Sequence, residues 1–304
     1  MLDRLILILS LFSGQAGGEA PRAPADPSTA ERIRVAEAHI QRCEGTLPAP
    51  EGTERKPLAR IDHPLMTYGD PARANDNGTL WAWGVTGRPR CFLELYQSGN
   101  NRREWIHAIT LTSTDLVRVM APQGNQWTPQ SHAWKPVPVE GMTVAPSERL
   151  RLRQMKEIAG RLAGHEFWDP DNSRYELRLL VQPVHRYSDP EQELLDGTTF
   201  VLAHGTNPEI LAFVEASGPS PEKAQWQIAA ARLGSAELHL ALGDKEIWTV
   251  PRTPNIVGQP SDPYWLFWST AEKPDAAPPA PAQQGGAVIP APVQRGAAAT
   301  PPSP

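Results

Sequence analysis

The stretch Pro64-Leu65-Met66-Thr67-Tyr68-Gly69-Asp70-Pro71 is answered 119 residues later by Pro183-Val184-His185-Arg186-Tyr187-Ser188-Asp189-Pro190. Pro64, Tyr68 and the Asp-Pro pair keep their register, and Gly78-Thr79 and Pro89 return at the same offset as Gly197-Thr198 and Pro208. Trp105 returns as Trp226, and Trp127-Thr128 as Trp248-Thr249, now at an offset of 121, so the second copy gains two residues after Glu215. Self-similarity at a fixed offset is the mark of a duplicated unit. Periodicity supports the same reading independently. Ser28 and Glu31 have capping-box spacing, Gly45 marks a helix stop, and Ile33, Ala36, Ile40 and Cys43 between them form one apolar stripe at helical spacing. The same offset turns that stripe into Leu152, Met155, Ala159 and Leu162, on a second helix that begins after Ser147.

After each helix the period changes to two. The first half predicts strands over 64–68, 79–85, 90–97, 105–112 and 116–120; the second over 175–187, 198–204, 210–216, 226–233, and 237–242 with 246–250. Gly87 to Pro89, Gly205 to Pro208 and Gly243-Asp244 separate them at hairpin distances, which implies antiparallel pairing. The expected fold class is therefore α+β: two tandem diverged repeats, each one helix packed on an antiparallel meander of four to five strands. This element order resembles cystatin-like and NTF2-like folds.

The chain of 304 residues carries a net charge of −5 with Lys and Arg scattered, so no basic stripe invites nucleic acid. Arg4, the apolar run Leu5 to Phe12 and small residues ending at Ala16 or Ala20 have the layout of a secretory signal, and the run is too short to span a bilayer. From Asp275 onward Ala, Pro, Gly and Gln dominate, a composition that cannot offset the entropy of ordering. The expected organisation is a signal peptide over 1–20, a linker over 21–27, repeats over 28–142 and 143–273, the second ending in an aromatic strand, and a disordered Pro/Ala-rich tail over 274–304.

The second copy also resembles an uncharacterised family of exported proteins from planctomycete-type bacteria. The resemblance rests on Arg151-Leu152-Arg153-Gln154-Met155, Glu176-Leu177-Arg178-Leu179-Leu180, Gln182-Pro183 with Arg186-Tyr187, Asp196-Gly197 and Gly205-Thr206-Asn207-Pro208-Glu209. It covers roughly 147–250, with a weaker echo over 60–130, and Asn207 stands where such proteins carry Asp. What it implies is export and this layout; it brings no assigned activity.

Candidate chemistry is sparse. Cys43 and Cys91 align with Leu162 and Ile210, so they read as core positions; a helix-to-sheet disulfide between them stays open if their Cα atoms lie within about 7 Å. The eight histidines show no metal spacing, and His39, His107, His185 and His204 align with apolar residues of the other copy, which reads as packing. His165-Glu166 with Asp169 is the densest polar group and a candidate proton-transfer set. Asp70-Pro71 and Asp189-Pro190 read as turn starts. Trp81 and Trp83 share a strand face whose counterparts are Phe200 and Leu202, so they read as packed under the helix. Tyr264, Trp265, Phe267 and Trp268 form an aromatic strip, either a closing strand or a partner-binding edge. The expected function is an exported, non-catalytic binding or scaffold protein with an unknown protein or envelope component as partner. Neither metal nor cofactor is expected, nor a membrane span in the mature chain. The rival is a hydrolase-type small-ligand enzyme with its site near His165 and Glu166.

Overall fold

The computed structural model describes residues 29–50, 53–70, 75–98, 101–168 and 171–270. The signal-peptide and tail readings, the Ser28 cap, Pro71 and Asp169 lie outside them. The described residues up to Ser269 belong to one unit.

Two adjacent strands decide the architecture. In β13 (Leu194–His204) and β14 (Asn207–Ser217) nearly every residue is buried, on both pleat faces. Because alternate side chains point to opposite faces, each face needs its own cover. One cover is α2 (Glu148–Ala159), whose Met155, Ile158 and Ala159 pack with Phe200, Leu202, Ile210 and Val214. The other is a second sheet, which presents Leu80, Ala82 and Phe92 to Val201, Ala203, Leu211 and Phe213. Phe92 meets Phe213 edge-on at 5.8 Å.

The central sheet runs β17 (Lys245–Val250), β16 (Glu237–Leu242), β10 (Leu162–Phe167), β11 (Arg174–Leu179), β13, β14, β15 (Gln225–Arg232), β9 (Val137–Pro138), with β12 (His185–Asp189) also on β13. The second sheet runs β18 (Tyr264–Thr270), β6 (Asn101–Leu111), β5 (Cys91–Ser98), β4 (Asn75–Trp83), β3 (Met66–Asp70). On its far face lie the fully buried Trp81 and Trp83, on the side of α1 (Thr29–Ile40), which touches β4 and β5. A small third sheet runs β2 (Lys56–Leu58), β1 (Glu44–Leu47), β7 (Arg118–Met120), β8 (Gln126–Trp127). The layers are helix, sheet, sheet, helix.

This corrects the expected fold class. The protein is mostly β, with three antiparallel sheets and only two α-helices among the described residues, and a pair of helix-on-meander repeats is not what forms. The cystatin- and NTF2-like order falls with it. Strands also cross between the halves: β9, which precedes α2, pairs with β15, and β18 returns to pair with β6. The physical reason is that runs such as Phe200-Val201-Leu202-Ala203 are apolar on both faces, and one short helix can bury only one of them.

The recurring residues nonetheless have a structural account. Tyr68 stands directly across the ladder from Gly78, and Tyr187 from Gly197. A Cβ on Gly78 would lie 2.2 Å from the Tyr68 ring, and one on Gly197 2.4 Å from Tyr187, so each glycine leaves the space its tyrosine fills. The helical stripes face inward at Ala36, Ile40, Met155 and Ala159, but α1 ends at Ile40 and α2 at Ala159: Cys43 follows the first helix, Gly45 lies in β1 and not at a helix stop, and Leu162 opens β10, so the last member of each expected stripe is buried outside its helix.

Candidate functional site

The inner faces of the two large sheets part at one end, and there the apolar filling gives way to charge. On β5 the inward positions read Phe92, Glu94, Tyr96; Glu94 pairs with Leu80 and Ala108 and so shares their face. On β14 Glu209 shares the face of Leu211 and Phe213. Both carboxylates are buried, Glu94 at 3% and Glu209 at 4% exposure. They line a pocket of about 240 Å³ together with Asn207, Ser235, Tyr96 and Tyr264. Its apolar wall is Ile106, Leu233 and Leu266, and its mouth carries Trp168, Ile256 and Trp268. No lysine or arginine is among the described residues of that lining.

Each carboxylate is held from its own half. Glu94 accepts a short hydrogen bond from the Tyr68 hydroxyl. Glu209 accepts from the Asn207 amide at 2.6 Å. Gly234 backs Glu209 so closely that a Cβ there would sit 1.7 Å from the carboxylate. The Tyr264 phenol lies within electrostatic reach of both glutamates and is pushed above its usual pKa, first by burial. Its oxygen is 3.2 Å from the Ser235 hydroxyl. Behind the wall Arg232 binds the carbonyls of Gly234, Pro251 and Ala236 at 2.8, 2.9 and 2.6 Å, which shapes the turn that carries Gly234 and Ser235.

The mouth is strained and apolar at once. Ile256 has φ of 69° and Asn255 of 53°, and a left-handed conformation is costly for a β-branched residue. Ser235 donates to the Ile256 carbonyl at 2.5 Å, and Leu266 N–H donates to Val257 at 2.9 Å, so the surroundings impose the conformation. Ile256 is 50% exposed and Trp268 48%. Trp168 is fixed by Arg252, whose guanidinium donates to the Trp168 carbonyl and lies 5.8 Å from its ring. Strained backbone clusters at ligand clamps, and contiguous exposed apolar groups mark binding grooves.

The residues singled out from sequence distribute unevenly over this geometry. The aromatic strip forms β18, which pairs with β6 at the end of the second sheet, and its pleat divides it: Tyr264 and Trp268 line the pocket. Trp265 and Phe267 point the other way and stack on each other at 4.2 Å. His165 and Glu166 are not an acid–base pair, because the unforeseen strand β10 sends them to opposite faces. His165 stacks flat on His239 at 4.5 Å, while buried Glu166 pairs with His204 Nδ1 at 2.5 Å. Among the described residues of that group, Trp168 is the one that reaches the pocket.

Cys43 and Cys91 are buried free thiols, not a disulfide. Burial pushes the Cys43 thiol up to about 12 and Cys91 upward as well. His39, in the last turn of α1, meets His107 on β6 with their Nε2 atoms 3.1 Å apart, Trp105 stacked on His39 and Phe267 on His107. Among the described residues no three His, Cys, Asp or Glu side chains gather as a metal site.

Sequence reasoning missed Glu94 and Glu209. The available signal was a carboxylate at an inward position of an apolar strand, in Cys91-Phe92-Leu93-Glu94-Leu95 and Glu209-Ile210-Leu211. Compared with family models, with curated proteins and with solved structures, the chain matches none.

Proposed function

We propose that this chain is an exported, non-catalytic binding protein that takes a small ligand into the pocket between its two large sheets. The observation that carries the reading is the mouth, where Trp268, Trp168 and the strained Ile256 stand exposed over two buried carboxylates. A mostly apolar cleft with a few convergent polar groups is the usual form of a small-molecule site. Export is supported by the apolar N-terminal run and by the resemblance of the second half to exported planctomycete-type proteins. The envelope is then the place to look for the ligand.

The test is a thermal-shift screen of the full chain against small-molecule fractions of the native envelope, run beside Trp268→Ala. A ligand that binds only the folded state raises Tm. The reading expects a fraction that raises Tm in the parent chain and loses that effect in the variant. Equal shifts in both proteins, or none in either, would refute it.

A further inference from the structure

The size and chemistry of the pocket narrow the ligand to one class, an inference that rests on the binding reading above. The carboxylates of the lining are already engaged. Glu94 takes the Tyr68 hydroxyl and Glu209 the Asn207 amide, while Arg232 acts on Glu209 through space and lies over the Tyr264 ring, 5.1 Å from its centre. A cation would therefore meet the field of Arg232 and an anion that of two carboxylates, both in surroundings of low dielectric. What the pocket presents is carbon and rings: Ile106, Leu233 and Leu266 on the wall, Trp168 and Trp268 at the mouth, and the Tyr264 ring. Aromatic pairs gain energy beyond that of burial alone. Volume sets the size of the ligand. A cavity of about 150 Å³ accepts benzene, so one of about 240 Å³ accommodates about nine or ten non-hydrogen atoms, the size of two fused rings. The hydroxyls of the lining are arranged to accept. Ser235 gives its one proton to the Ile256 carbonyl at 2.5 Å, so across the 3.2 Å contact with Tyr264 it is the phenol that donates. The Tyr264 oxygen keeps its lone pairs for a donor on the ligand.

We propose that the occupant is an uncharged, flat, two-ring aromatic molecule with an N–H or O–H group, its rings lying against Trp168, Trp268 and Leu266 and its donor on the Tyr264 oxygen. Indole is the simplest molecule of this class.

The experiment titrates the full chain calorimetrically with two sets of probes. Indole and benzofuran have the same size and differ in the N–H, which an oxygen replaces. Tryptophol, tryptamine and indole-3-acetate share the indole ring and carry a short side chain that is neutral, positive or negative. Indole is expected to bind, with benzofuran about tenfold weaker, and tryptophol to bind at least about tenfold more tightly than either charged probe. Tyr264→Phe keeps the ring and removes the acceptor, so it should bring indole down to the level of benzofuran. Should that variant fail to fold, the comparison of indole with benzofuran on the unaltered chain decides alone. Benzofuran binding as tightly as indole overturns the donor contact, and tryptamine or indole-3-acetate binding as tightly as tryptophol overturns the uncharged assignment. Absence of indole binding overturns the two-ring assignment, and the envelope screen with Trp268→Ala then judges the pocket separately.

Discussion

A buried ion pair ties the two large sheets across their interface, and cutting it gives a sharp prediction. Glu215, 1% exposed on β14, accepts from Arg88 Nη1 at 2.8 and 2.9 Å, from the Tyr187 hydroxyl at 2.8 Å and from the Gln227 amide at 3.2 Å. Arg88 comes from the β4–β5 connection; it also donates to the Thr112 carbonyl at 2.9 Å and lies over the Trp134 ring at 3.7 Å. Arg88→Met leaves a dehydrated carboxylate with only neutral donors. Removing one partner of a buried pair costs about 3–5 kcal/mol, and the lost stacking on Trp134 adds about 0.5–1 kcal/mol. Urea unfolding followed by tryptophan fluorescence should therefore show Arg88→Met and Glu215→Leu each strongly destabilised. The double variant, with no charge left to strand, should recover most of the loss. A single-variant loss below about 1 kcal/mol, or a double variant as unstable as the sum of the two, would refute a buried tie between the sheets.

Three further outcomes follow from the packing. Gly78→Ala places a Cβ 2.2 Å from the Tyr68 ring and should cost about 1–3 kcal/mol by overpacking, read as a lowered urea midpoint; an unchanged midpoint would deny the tyrosine-over-glycine contact. Burial first, then Arg42 beside His39 and His39 beside His107, holds these imidazoles neutral down to about 4 and about 3. In the unfolded chain they protonate near about 6.5, so their contribution is whole above that pH and drains as pH falls toward 4; by about pH 4.5 either histidine should cost about 2–3 kcal/mol, and His107→Ile should flatten the unfolding profile over that window. Cys43 and Cys91 should resist a thiol reagent in the native protein and both react once it is denatured; rapid native reaction would place them outside the core.

Local features were legible in the sequence, and the assembly was not. The stripes of α1 and α2 fall where helical spacing puts Ala36, Ile40, Met155 and Ala159, and Trp81 and Trp83 are buried as their apolar counterparts implied. β10 was missed because Ala163, His165 and Phe167 alternate with buried Leu162, Gly164 and Glu166, a pattern that looks polar enough for a turn. The predicted strand over 175–187 is two, β11 and β12, which both pair with β13 across a break at 180–184. The second sheet was implied by runs apolar on both faces, but period-two reasoning does not say what covers the second face. The pocket was the least legible feature. Its carboxylates come from different halves of the chain and meet only because β5 and β14 lie in facing sheets. The duplication reading also discounted polar residues whose counterpart in the other copy is apolar, and functional sites are where such local rules are expected to break.

That meeting of Glu94 and Glu209 is open to direct measurement without any ligand. A double-mutant cycle of Glu94→Gln and Glu209→Gln, followed by urea unfolding at neutral pH, isolates their mutual term. Two carboxylates sharing one pocket should be coupled by at least about 0.5 kcal/mol, with the second neutralisation yielding less stability than the first. Strict additivity of the two substitutions would mean that the glutamates do not face a common space.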